Sequence, residues 1–255
     1  INGGMNDLEK VSKYDWGMRE PFMGVYLDAS RRKRGIRRGV LDNGKLAEAV
    51  QGVPTVYKRQ GRVRSDRACV CILVDESGSM RRQGRMAAAR NTAVLLNEAL
   101  SPIPNIDLFI YGHTADDERD GLTELNIYRE KGYAPKFALG SLEARANNRD
   151  GTAILETATR VRRQTDEEVL MFIISDGAPA AESYFGSKAF MHTKECVEKA
   201  ESMGFRIVQI CINACYDPAM MFRHYINMEE LGTLARDLGR EIAKALPSKN
   251  KTHVI

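Results

Sequence analysis

"ACVCILVDESGSM", residues 68–80, decides how the rest of the chain is read. A near-continuous apolar run from Ala68 to Val74 ends abruptly at Asp75. Such a run, without polar alternation, reads as a strand covered on both faces, as in a parallel sheet. Beyond it Asp75, Ser77 and Ser79 stand at alternate positions, with Gly78 between the serines. In an extended loop alternate side chains point the same way, so D-x-S-x-S aims three oxygens together. Gly78 would let the backbone turn tightly between them.

Outward from this stretch, strand-like and helix-like segments alternate. Met86, Ala89, Ala93, Leu96 and Leu100 fall on one helical stripe, which "SPIP" terminates. "IDLFIYG" (106–112) reads as a second strand and "LTELNIY" (122–128) as a short third one. Residues 129–150 are irregular, with Gly132, Pro135 and Gly140, and read as a long functional loop rich in Arg and Asn. A helix over 152–163, a buried strand in "VLMFIISDG" (169–177), a helix near 188–203 and the strand "FRIVQICI" (205–212) follow. Leu231, Leu234, Ala235, Leu238, Ile242 and Ala245 mark a last amphipathic helix. The alternation predicts an α/β fold, a Rossmann-like doubly wound and mainly parallel sheet with helices on both sides. Residues 1–67 resist the pattern and read as a basic N-terminal extension, with one helix around Asn43–Val50; 68–255 form the main domain.

In such sheets ligands bind at the carboxyl ends of the strands, near the switch in strand order. Three polar clusters are expected there: Asp75 to Ser79, Asp150-Gly151-Thr152, and Ser175-Asp176-Gly177. Asp75, Ser77, Ser79, Thr152 and Asp176 make an all-oxygen set suited to a hard cation, Mg2+ first, with Mn2+ or Ca2+ as alternatives. Two carboxylates leave a dication electrophilic enough to accept a carboxylate from another molecule. Read singly, Ser77 and Ser79, or Asp150 and Thr152, could instead cap helices, and Asp176 could end a strand in an ordinary turn.

Composition bounds the remaining choices. The chain has 255 residues, 43% apolar and 28% charged, with a net charge of +4. Residues 1–67 carry 15 Lys and Arg against 8 Asp and Glu, and the remainder 23 against 26, so the basic excess lies in the first quarter. "RRKRGIRRG" (31–39) lacks interleaved aromatics, which favours a solvated segment or a dock for an acidic partner over nucleic acid. Five cysteines without C-x-x-C spacing argue against a disulfide framework or a zinc site, and for a reducing, cytoplasmic setting. No apolar run is long enough to span a membrane, and no signal peptide is visible. The chain begins with Ile1 rather than Met, as a fragment of something longer would.

The set Asp75, Ser77, Ser79, Thr152 and Asp176 resembles the metal-ion-dependent adhesion site (MIDAS) of von Willebrand factor A (vWA) domains, over roughly residues 68–246. That resemblance implies a Rossmann-like sheet with one antiparallel edge strand, which suits residues 122–128. "RRGVLDNGKLAEAV", "LVDESGSM", "NNRDGTAI", "ISDGAP" and the closing "YDPAMMFRHYINMEELGTLARDLGREIAKAL" are similar, in order, to the C-terminal part of the CobT family of cobaltochelatase subunits. This implies a role in cobalt insertion for cobalamin biosynthesis, beside a ring-forming AAA+ ATPase (CobS-like) and a catalytic subunit that holds the tetrapyrrole. Other vWA proteins pair with MoxR-type ATPases, which implies an alternative role as an assembly factor without a tetrapyrrole.

The chain has no G-x-x-x-x-G-K-[ST], so it is not itself a P-loop ATPase. "DESGSM" is not G-x-S-x-G, and no His stands in an evident triad position. A phosphotransferase using Asp75 would carry a second carboxylate where Ser77 stands. A non-catalytic subunit fits better. Arg81, Arg82 and Arg85 after the metal loop, His113 in "YGHTAD", and Arg149 and Asp150 are the candidates for a surface that meets the partner.

Overall fold

The computed structural model describes residues 33–36, 40–41, 45, 51, 53–55, 57–59, 68–103, 106–116, 122–214 and 216–228. The helices expected around 43–50, apart from Lys45, and around 231–245 lie outside them, as do Cys215, His253 and most of the basic run 31–39. Three short strands, β1 (Lys33–Ile36), β2 (Val40–Leu41) and β3 (Tyr57–Arg59), pair antiparallel in the order β1-β3-β2. Nothing in the sequence suggested them, because strands this short and charged carry no alternating apolar signal.

From Ala68 onward the expected alternation forms. The strands are β4 (Ala68–Asp75), β5 (Ile106–Asp116), β6 (Leu122–Arg129), β7 (Val169–Ser175), β8 (Phe205–Ile212) and β9 (Tyr225–Met228). The helices are α1 (Arg85–Leu100), α2 (Asp150–Arg162) and α3 (Gly186–Ser202). The sheet order is β6-β5-β4-β7-β8-β9. All neighbours are parallel except β5 and β6, so β6 is the antiparallel edge strand. β5 runs four residues past the expected Gly112, because its polar end pairs with β6 as far as Asp116. β9 is a strand that the sequence reading did not anticipate; "YINM" is too short to show a period.

Alternation along β4 splits the core in two. Val70, Ile72 and Val74 face the layer holding Met86, Leu96 and Leu100 of α1. Cys69, Cys71 and Leu73 face Ile154, Ala158 and Val161 of α2 and Val197 of α3. The described cysteines, Cys69, Cys71, Cys196 and Cys211, are unpaired and buried, as small core residues are. Among the described residues no helix is long and apolar enough to cross a membrane. The chain leaves β4 for β5 on one side and returns to β7 on the other, so the switch in strand order lies between β4 and β7.

Leu96 is fully buried in the α1 layer. Leu96→Ala is expected to cost about 3 kcal/mol of stability, through lost burial and the cavity left behind. Urea denaturation checks this, and a loss under about 1 kcal/mol would mean that the layer is loosely packed.

Candidate metal centre

Register puts the site's floor together before any loop is considered. Val74 pairs with Ile174 across β4 and β7, so Asp75 and Asp176 leave adjacent strands at nearly the same height. On the other side Asp75 pairs with His113 of β5. Paired residues in a parallel sheet share a face, and this face is covered by α2, whose first turn carries Asp150 and Thr152.

Asp75 is fully buried. Its Oδ1 accepts from the Ser77 amide at 2.8 Å and its Oδ2 from Asn148 Nδ2 at 3.2 Å. Burial first, and then the charge of Asp176, push its carboxyl up to about 7. Asp150 is also buried, and burial, followed by the charges of Asp75 and Asp176, pushes it well above the carboxylate range. Three aspartates therefore crowd one buried space and feel one another.

Two hydroxyls gather beside Asp75. Ser77 Oγ and Ser79 Oγ lie 2.9 Å apart. Ser77 precedes the short 3-10 segment Gly78–Gly84 but makes no side-chain cap. Arg149, not Asp150 or Thr152, is the cap residue of α2, again without a side-chain bond. Capping thus explains none of these residues. Thr152 is half-buried on the first turn of α2. Asp176 does form a local turn, its Oδ1 accepting from Ala178 N at 3.2 Å, but its Oδ2 faces Arg85 Nη1 at 2.8 Å. Gly78 is not in a left-handed conformation, contrary to the tight turn expected of it. It is held instead by close approach, since an added Cβ would sit 3.3 Å from Ala146 O.

A dication fits this donor set. Asp75 is buried with the Ser77 amide and hydroxyl and the Asn148 carboxamide as partners, all of them neutral, so a charge of opposite sign suits its surroundings. The residues that would hold the ion are Asp75, Ser77, Ser79, Thr152 and Asp176. Among the described residues no three His, Cys, Asp or Glu side chains gather as metal ligands, so any site here must use hydroxyl oxygens as well.

The residues expected at a partner surface divide. Arg81 and Arg82 are exposed, and Arg81 is anchored to Ala144 O and Arg145 O. Arg149 is half-buried, donating to Glu182 O at 2.8 Å and lying over the Tyr184 ring. His113 and Asp150 are corrections. Both are buried, His113 Nε2 lying 3.7 Å from Asp150 Oδ1, so neither can meet a partner. Burial also lowers His113 to about 4, leaving a neutral imidazole at neutral pH. Arg85 is a third correction. It turns inward to Asp176, Ser79 O and Asn213 O, because Gln83 and Gly84 take positive φ and aim the helix start into the cleft.

Two residues escaped the sequence reading. Asn148 joins all three loops: its Nδ2 donates to Asp75 and Asp150, and its Oδ1 accepts from Ala180 N. Its signal was an amide two residues before an aspartate at a helix start, which is common in loops. Glu76 points to the opposite face from Asp75, where Asn126, Tyr128 and Arg145 surround its carboxylate. Its backbone completes the tether, Glu76 O accepting from Arg145 N at 2.6 Å.

Comparison with known proteins agrees on the fold. No family model matches the chain. An uncharacterised protein of Bacillus subtilis (strain 168), YojO, is 25% identical over 186 residues, which is 70% of this chain and 29% of that protein. The chain thus matches less than a third of that curated relative's length. Proximal thread matrix protein 1 from the mussel byssus superposes with a TM-score of 0.52 at 13% identity, over 70% of this chain and 46% of that one. Another structure of the mussel protein, with a zinc-occupied MIDAS motif, gives 0.49 at 11% identity over 69% and 46%. A von Willebrand factor type A protein from Catenulispora acidiphila gives 0.48 at 19% identity over 70% and 42%.

Gly112 is where the tether is tightest, since an added Cβ would lie 2.6 Å from Glu76 Cδ and 2.9 Å from Tyr128. Gly112→Ala is therefore expected to cost about 2 kcal/mol, and a Glu76→Ala background should recover part of it. Thermal denaturation of the two single variants and the double checks this; additive losses would mean that the two residues do not press on each other. From its strand order and its one antiparallel edge, this chain has the vWA fold.

Proposed function

We propose that the chain is a metal-dependent adaptor, in which Asp75, Ser77, Ser79, Thr152 and Asp176 hold Mg2+ and an acidic side chain of a partner protein completes the site. The observation that carries this reading is the buried pair Asp75 and Asp176 at the switch point, beside two hydroxyls 2.9 Å apart. A bound dication would supply an electrophilic position for the incoming carboxylate. The chain's own residues do the rest. Asp75 neutralises part of the charge, the serines orient their lone pairs without adding more, and exposed Arg81 and Arg82 draw an acidic group toward the rim.

The partner we infer is a ring-forming AAA+ ATPase, CobS-like or MoxR-like, with this chain as a non-catalytic cytoplasmic subunit. In its most specific form the role is cobalt insertion beside a chelatase catalytic subunit. The likeness of "LVDESGSM", "NNRDGTAI" and "ISDGAP" to CobT-type subunits supports that form. An assembly factor without a tetrapyrrole would use the same metal chemistry.

Calorimetric titration with Mg2+ tests the core of the reading. The wild type should bind, and Asp75→Ala should weaken binding by more than about a hundredfold, through loss of a charged ligand. Equal heats from the two proteins would remove the metal site.

A further inference from the structure

A dication between Asp75 and Asp176 would meet less negative charge than the two carboxylates suggest. Asp176 Oδ2 already faces Arg85 Nη1 at 2.8 Å, in a pair whose side chains are 9% and 0% exposed. At that distance a buried guanidinium cancels most of the field of its partner. Two carboxylates and one guanidinium would leave a single negative charge facing a doubly charged ion.

A third carboxylate stands beside them. Asp150 Oδ1 and Asp75 Oδ2 accept from the same Asn148 nitrogen, at 3.0 and 3.2 Å. The pocket around Asp150 has a second unusual feature. His113 is completely buried, neither of its ring nitrogens makes a hydrogen bond, and Nε2 is aimed at Asp150 Oδ1 from 3.7 Å. Buried polar atoms without partners are rare and cluster at functional pockets. Beside His113 the Asp150 carboxyl gains a polar neighbour that adds no charge of its own.

We propose that Asp150 completes the charge of the metal centre and that Arg85 is its counterweight: Asp150 restores the negative charge that Arg85 withdraws from Asp176. The inference rests on the metal-binding reading above. In it Asp150 acts through the field and through Asn148, as a positioning residue, and it explains why a buried arginine is tolerated beside a cation site. A bound dication would favour the charged form of all three aspartates, which together with Arg85 sum to two net negative charges.

The experiment is Mg2+ calorimetry on the full chain as wild type, Asp150→Asn, Arg85→Gln and the double variant, with competition by Tb3+ as a second readout. Asp150→Asn keeps the shape and should weaken Mg2+ binding about tenfold, whereas Arg85→Gln should tighten it about fivefold. The double variant should return to within about threefold of the wild type, a compensation that damage to packing alone does not produce. Arg85→Gln should also raise the preference for Tb3+ over Mg2+ about tenfold, since three net charges suit a trivalent ion. Asp150→Asn, which keeps the shape, decides the matter even if Arg85→Gln fails to fold: unchanged Mg2+ affinity in that variant overturns the proposal. Weaker binding by a folded Arg85→Gln overturns it too. If the wild type binds Mg2+ and Asp75→Ala does not, these failures leave the metal-binding reading intact; if the wild type does not bind, both fall together.

Discussion

Like charges held together away from water are the constraint on which this molecule is arranged. Asp75 ends β4 beside the end of β7, and Asp176 follows β7 directly, so the register of the two strands keeps the carboxylates near each other. A low-dielectric wall strengthens their repulsion, so the fold holds a site that is costly by itself and favourable once positive charge enters. Arg85 supplies one such charge from the start of α1. The left-handed Gln83 and Gly84 give the chain the bend that brings it there.

The loop before α2 is the part that a static sheet does not fix. It is fastened to the strand ends by backbone bonds: Gly78 N to Ala146 O, Arg145 N to Glu76 O, and Ala115 with Asn147 in both directions. Thr114 adds its hydroxyl to Asn147 O and accepts from Ala146 N. Glu76, on the far side of the sheet from Asp75, fixes the same loop through Arg145. Asn148 then ties it to the segment after β7. The irregular residues 142–149 therefore behave as part of the frame, which is how a loop without regular structure can present Asp150 and Thr152 in a set position.

Much of this was legible in the sequence, for physical reasons. Buried parallel strands cannot alternate, so "ACVCILV" and "VLMFII" announced themselves, and ligand clusters at their carboxyl ends followed from the topology. What failed was direction. His113, Asp150 and Arg85 looked like rim residues because polar side chains near a loop are normally solvated, yet each is turned inward. Parity along β5 held the clue for His113, since it lies two residues from buried Tyr111 on the same face. For Arg85 no such clue exists; only the backbone bend at Gln83 and Gly84 decides where its guanidinium goes. The strand β9 and the small sheet β1-β3-β2 were too short to show a period.

The position of β4 in the sheet has a mechanical consequence. The strand that ends in Asp75 is hydrogen-bonded along nearly its whole length on both sides, to β5 and to β7. Tension applied at its carboxyl end runs along the strand axis, across the direction of those bonds, and loads both ladders in shear at once. Shear forces many bonds to yield together, whereas peeling an edge strand opens them one at a time. A site at the end of β6 or β9 would load a single ladder under the same pull, because an edge strand is bonded on one side only. The end of β4 is therefore a point at which the domain can bear traction.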